Sequence, residues 1–96
     1  MTDLAPFLDA WDALPTGSFE GDYQGRRWGV VKTVRAGGRQ GWIWAEERGG
    51  PGRVSGNLYY LRAGARLKPC EMPAEDVIRF VRGVRPRGPA TAPTGR

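Results

Sequence analysis

The chain has 96 residues, a mass of 10.6 kDa, 40% apolar residues, a formal net charge of +5 and a single cysteine. A chain of this length holds one domain with a small core, and a lone cysteine cannot close an internal disulfide, so packing has to hold that core together. No histidine occurs, which removes the commonest general base, proton shuttle and metal ligand and favours binding over catalysis.

The first apolar residues, Leu4, Phe7, Leu8, Trp11 and Leu14, follow a helical spacing and form one stripe. Thr2 or Asp3 is placed to cap this helix, Pro6 falls in its first turn, and Pro15 and Gly17 end it. Asp9 and Asp12 lie off the stripe, so the expected role of the helix is to cover a sheet. From Ser18 to Pro69 the period changes to two and glycine recurs at intervals, the pattern of antiparallel strands joined by tight turns. Strands are expected near 18–23, 27–36, 39–47, 54–62 and 65–69. The turns fall at Gln24-Gly25, Gly37-Gly38, Gly49-Gly50-Pro51-Gly52 and Ala63-Gly64, with Gly37-Gly38 as a two-residue hairpin. Trp28, Val30 and Val34 alternate with Arg27, Val31, Thr33 and Arg35, and Trp42 and Trp44 oppose Ile43 and Ala45. Both faces are therefore partly apolar, and each needs a cover: a helix, a partner subunit or a ligand. A second helix is expected from Pro73 to Val84, with Val77, Phe80, Val81 and Val84 inward and Glu75 and Asp76 complementing its N-terminal dipole.

The fold class that follows is α+β: a single domain over residues 1–84, an antiparallel β-meander of about five strands with an N-terminal and a C-terminal helix packed on the sheet. The Pro-, Gly- and Arg-rich stretch 85–96 reads as a disordered basic tail. No segment approaches the roughly 20 apolar residues of a membrane span, and Asp3 stands where a basic leader would begin, so a cytoplasmic protein is expected.

Charge is unevenly spread. Residues 1–24 carry five acids and no bases, whereas 25–70 carry ten bases and two acids. Thirteen of the fifteen bases are arginine, a residue suited to planar recognition of phosphate or carboxylate, although a high-GC genome yields the same bias. Interleaved aromatic and basic strand residues are the types that stack bases and neutralise a single-stranded backbone. The candidate nucleic-acid-binding residues are Arg26, Arg27, Lys32, Arg35, Arg39, Trp42, Trp44, Arg53, Tyr59 and Arg62, with Arg66 and Lys68 among the flanking bases. The structural alternative is that tryptophans form the core and strand arginines a solvated face.

Other constellations are weaker. Cys70, ahead of the second helix, is the one candidate nucleophile, yet no histidine can activate it and Glu71 beside it opposes thiolate formation. Its alternative role is a half-buried small residue at a strand-to-helix turn. Glu46 and Glu47 point to opposite faces of a strand and cannot act as one dyad, so pairing with Arg27, Arg35 or Arg48 is expected instead. Gly49-Gly50-Pro51-Gly52-Arg53 lacks the Lys-Ser/Thr of a phosphate-binding loop and reads as a hairpin loop.

The order of elements, a curved meander ending in Arg66-Leu67-Lys68 and then a helix from Pro73, resembles the positive-cofactor and Whirly group of single-strand DNA-binding proteins. That resemblance implies a basic sheet as the contact surface. The runs Glu20-Gly21-Asp22-Tyr23-Gln24-Gly25-Arg26-Arg27-Trp28-Gly29 and Leu67-Lys68-Pro69-Cys70-Glu71-Met72-Pro73 are similar to those of short, largely uncharacterised proteobacterial proteins, some labelled peptide methionine sulfoxide reductase. The Gly-Cys-Phe-Trp motif and the paired Cys-x-x-Cys motifs of genuine reductases are missing here, so such chemistry would rest on Cys70 alone. Three functions are thus expected in order: a single-stranded nucleic-acid-binding or regulatory module, a homodimeric interaction module using the same aromatic face, and a thiol enzyme. No cofactor and no metal are expected.

Overall fold

Glycine and proline punctuation divides the chain close to where periodicity places the breaks. A computed structural model describes residues 4–61, 64–70 and 72–87. The elements are α1 (Ala5–Ala13), β1 (Gly17–Tyr23), β2 (Arg26–Arg35), a 3-10 turn (Ala36–Gly38), β3 (Gln40–Glu47), β4 (Arg53–Leu61), β5 (Gly64–Pro69), α2 (Ala74–Gly83) and β6 (Arg85–Pro86). The strands form one antiparallel sheet in the order β5-β4-β3-β2-β1-β6. The chain is an α+β meander with a helix before and a helix after its first five strands, as expected.

Three details differ from the sequence reading. Thr2 and Asp3 lie outside the described residues, and the N-cap of α1 is Leu4, which makes no side-chain cap; Pro6 falls in the first turn as expected. The β2–β3 connection is a four-residue loop, because Arg35 still pairs with Gln40 and Ala36 itself takes a left-handed conformation at φ 56° ahead of Gly37 and Gly38. The ordered fold also runs past position 84: Arg85 and Pro86 pair with Asp22 and Gly21, and the amide of Arg87 donates to the Glu20 carbonyl at 2.8 Å. Buried Val84 anchors this return, and Pro86 is tolerated because β6 is an edge strand with no further neighbour to serve. The stretch from 85 is therefore not wholly a tail, and 88–96 lie outside the described residues.

Both helices cover the same face. Phe7, Trp11 and Leu14 of the α1 region and Val77, Phe80, Val81 and Val84 of the α2 region form one cluster with Trp28, Val30, Ile43, Ala45, Val54 and Leu58. Fully burying a side chain of this size is worth roughly 1.5–3 kcal/mol. Glycines on this face let the helical layer approach closely. The indole of Trp11 fills the space a Cβ on Gly41 would need, Val77 lies 3.5 Å from the corresponding point at Gly56, and Val84 lies 2.7 Å from that at Gly21. Among the described residues no helix is long and apolar enough to cross a membrane.

Candidate nucleic-acid interface

The opposite face of the sheet carries neither helix, and strand register fixes what it presents. Side chains alternate along each strand, so the partners across β2, β3, β4 and β5 fall into rows. Arg35, Gln40, Tyr59 and Arg66 form one row, and Thr33, Trp42, Asn57 and Lys68 the next. A third runs Ser18, Val31, Trp44 and Ser55, continued by Cys70, whose amide donates to the Ser55 carbonyl at 3.1 Å. Then come Glu20, Gly29, Glu46 and Arg53, and last Asp22 and Arg27. Trp42 is 37% exposed, the most of the four indoles. The first two rows enclose an open concavity of about 330 Å³ lined by Thr33, Arg35, Gln40, Trp42, Asn57 and Tyr59.

The two ends of this face differ in their electrostatics. At the end holding Glu20, Asp22 and Glu46, arginines are already engaged by carboxylates. Arg48 bridges Glu20 at 2.6 Å and Glu46 at 3.2 Å, Arg53 stands 4.0 Å from Glu46, and Asp22 takes Arg87 at 3.0 Å and Arg27 at 3.8 Å. The Arg48 guanidinium lies over Gly29, in the volume a side chain there would occupy. Its hydrogen bond holds the Glu20 carboxyl below its usual range. At the other end no carboxylate shares the rows of Arg35, Arg66 and Lys68. Among the described residues these three exposed cations make no ion pair.

Of the residues named from sequence, Arg27, Arg35, Trp42, Trp44, Arg53 and Tyr59 share the open face. Three do not join them. Lys32 lies on the helical side, 4% exposed, where its ammonium donates to the carbonyls of Trp11 (2.6 Å) and Leu14 (2.9 Å) and sits 4.8 Å over the Trp11 ring. It closes the C-terminus of α1 and cannot reach a ligand on the far face. Arg26 is held by Glu47 at 2.7 Å, with register that places it beyond buried Trp28 on the helical side. Arg39 belongs to the hairpin loop, its Nε donating to the Ala36 carbonyl at 3.1 Å, and Arg62 falls outside the described residues. Trp28 faces the helical side too, 8% exposed between Tyr23 and Phe80.

The concavity includes Thr33, Gln40 and Asn57, polar residues that sequence reading passed over because it weighed aromatic and cationic types only. The signal that finds them is register: once the β2–β3 and β3–β4 hairpins are set, Asn57 must stand opposite Trp42 and Gln40 opposite Tyr59. Cys70 is half-buried at the rim, its Sγ accepting from the Asn57 amide at 3.6 Å. Among the described residues no group of three carboxylate or thiol side chains converges to hold a metal ion.

Fold and face define an α+β protein with a one-sided helical layer and an open, aromatic, asymmetrically charged sheet. Comparison with protein-family models, with curated proteins and with solved structures returned no match.

Proposed function

We propose that the protein binds single-stranded nucleic acid on the open sheet face, as a small binding or regulatory module in the cytoplasm. The observation that supports this reading is the coincidence of exposed Trp42 and half-buried Tyr59 with Arg35, Arg66 and Lys68, cations that make no ion pair among the described residues. Arginine and lysine supply phosphate contacts whose strength comes from counterion release, and indole and phenol rings stack on bases of any sequence. The amides of Gln40 and Asn57 add donors and acceptors for a base edge.

Tryptophan fluorescence, titrated with single-stranded oligonucleotide at low and moderate salt beside size-exclusion chromatography, tests the reading. Quenching that weakens as salt rises, and that disappears in Trp42→Phe, is the expected result. A protein that elutes as a dimer and shows no quenching at low salt would replace this reading with one in which a second copy covers Val31, Trp42 and Trp44.

A further inference from the structure

We infer that the binding footprint is short, about four nucleotides, and that Glu20 and Glu46 set its limit; this rests on the nucleic-acid reading above. The cations that make no ion pair among the described residues stand on β2 and β5, with β3 and β4 between them contributing Trp42 and Tyr59. Along the strands, the row of Arg35 and Tyr59 lies four residues from the row of Val31 and Trp44, about 14 Å at about 3.4 Å per residue, and the next row holds Glu20 and Glu46. That length accommodates about four nucleotides at a stacked rise of about 3.4 Å per step. Phosphates on Arg35, Arg66 and Lys68 leave the bases over Trp42 and Tyr59, in a concavity whose volume of about 330 Å³ suits one base and its sugar rather than a long run.

Beyond Trp44 the face changes character. A phosphate arriving there meets guanidiniums already held by carboxylates: Arg48 by Glu20 and Glu46, and Arg53 by Glu46. To bind it must displace a carboxylate and leave that negative charge beside its own, so the backbone gains nothing by continuing in this direction. Arg85 makes no ion pair among the described residues, but it stands on the far edge strand, beyond this acidic band.

The test is a stoichiometric titration of the full chain with oligothymidylates of 2, 4, 8 and 12 nucleotides at low salt, read by tryptophan quenching. The expected result is affinity per binding register that rises from the dimer to the tetramer and then stays level. The double substitution Glu20→Gln, Glu46→Gln frees Arg48 and Arg53 and should roughly double the footprint, so that affinity per register climbs on to the octamer. Wild-type affinity per register still climbing beyond the tetramer overturns the short footprint and leaves nucleic-acid binding intact. An unchanged footprint in the double variant overturns the role of the carboxylates. No quenching at any length overturns this inference together with the reading on which it rests.

Discussion

Lys32 shows how one residue's role inverts between sequence and structure. Its alternation with Val31 and Thr33 fits a strand, and its charge fits a phosphate ligand, yet its ammonium lies inside the protein against the end of α1. Desolvation lowers its pKa from the usual 10.5, partly opposed by Asp12. The unfolded chain therefore binds the extra proton in the interval between the lowered value and 10.5, and the stability attributable to Lys32 rises as pH climbs through that interval. Tyr60 acts oppositely: burial and Asp12 raise its pKa above 10.0, so its contribution is lost as pH rises through the folded value. In a Tyr60→Phe background, the stability advantage over Lys32→Met should widen with rising alkaline pH in urea titrations, and a flat difference would contradict this account. At neutral pH Lys32→Met leaves two carbonyls without their donor and should cost about 1–3 kcal/mol. On the open face, Trp42→Ala should weaken oligonucleotide binding by about 1–3 kcal/mol by removing a stacking platform. Calorimetric titration showing wild-type affinity in that variant would exclude Trp42 from the contact.

At the scale of elements, the glycines decide how layers meet. Gly41 is an unremarkable strand glycine in the sequence, but Trp11 of α1 sits where its Cβ would be. Gly41→Ala must lift α1 or turn the indole, an overpacking expected to cost about 1–3 kcal/mol in denaturant midpoint measurements. Gly29→Ala, on the opposite face, meets only the guanidinium end of Arg48, which can swing into solvent. Its loss of stability should be smaller than that of Gly41→Ala. Its clearer signature is the carboxyl of Glu20, which should titrate nearer its usual range by NMR once Arg48 has moved. The sign follows from the lowered pKa: the Arg48–Glu20 pair stabilises the fold above the ordinary value of 4.5 and ceases to as pH falls through the folded value. Equal destabilisation by the two glycine substitutions would show that the faces do not differ in packing as described. The sheet edge at β5 is guarded by composition, since Lys68 and Pro69 make a poor template for another strand.

For the whole molecule, charge position matters more than net charge. Three cations at one end of the face, without an ion pair among the described residues, imply a slope of about −2 when the logarithm of oligonucleotide affinity is plotted against that of salt, from about −0.7 per phosphate neutralised on a single strand. Arg35→Gln should shallow that slope by about 0.7. Arg48→Gln should leave it nearly unchanged, because Arg48 already serves Glu20 and Glu46. A steep slope that responds equally to both substitutions would mean that the molecule binds by diffuse positive charge.

The primary sequence by itself determined the elements and their order. Period-two alternation and recurrent glycine between Ser18 and Pro69, and the helical stripes led by Phe7 and Phe80, are local signals that sum over many residues and survive errors at individual positions. The same pattern made it legible that Trp42 and Trp44 share a side of β3 opposite Ile43 and Ala45. Which side the helices would cover was beyond it. Alternation puts Lys32 and Arg35 on opposite sides of β2, and only the docking of α1 over Gly41 makes the first a buried cap while the second stays exposed. The return of Arg85 and Pro86 to β1, and the ion pair that engages Arg48 with Glu20, join residues far apart in the chain. Those partnerships are decided by three-dimensional register and close approach, physical quantities that no local window of sequence contains.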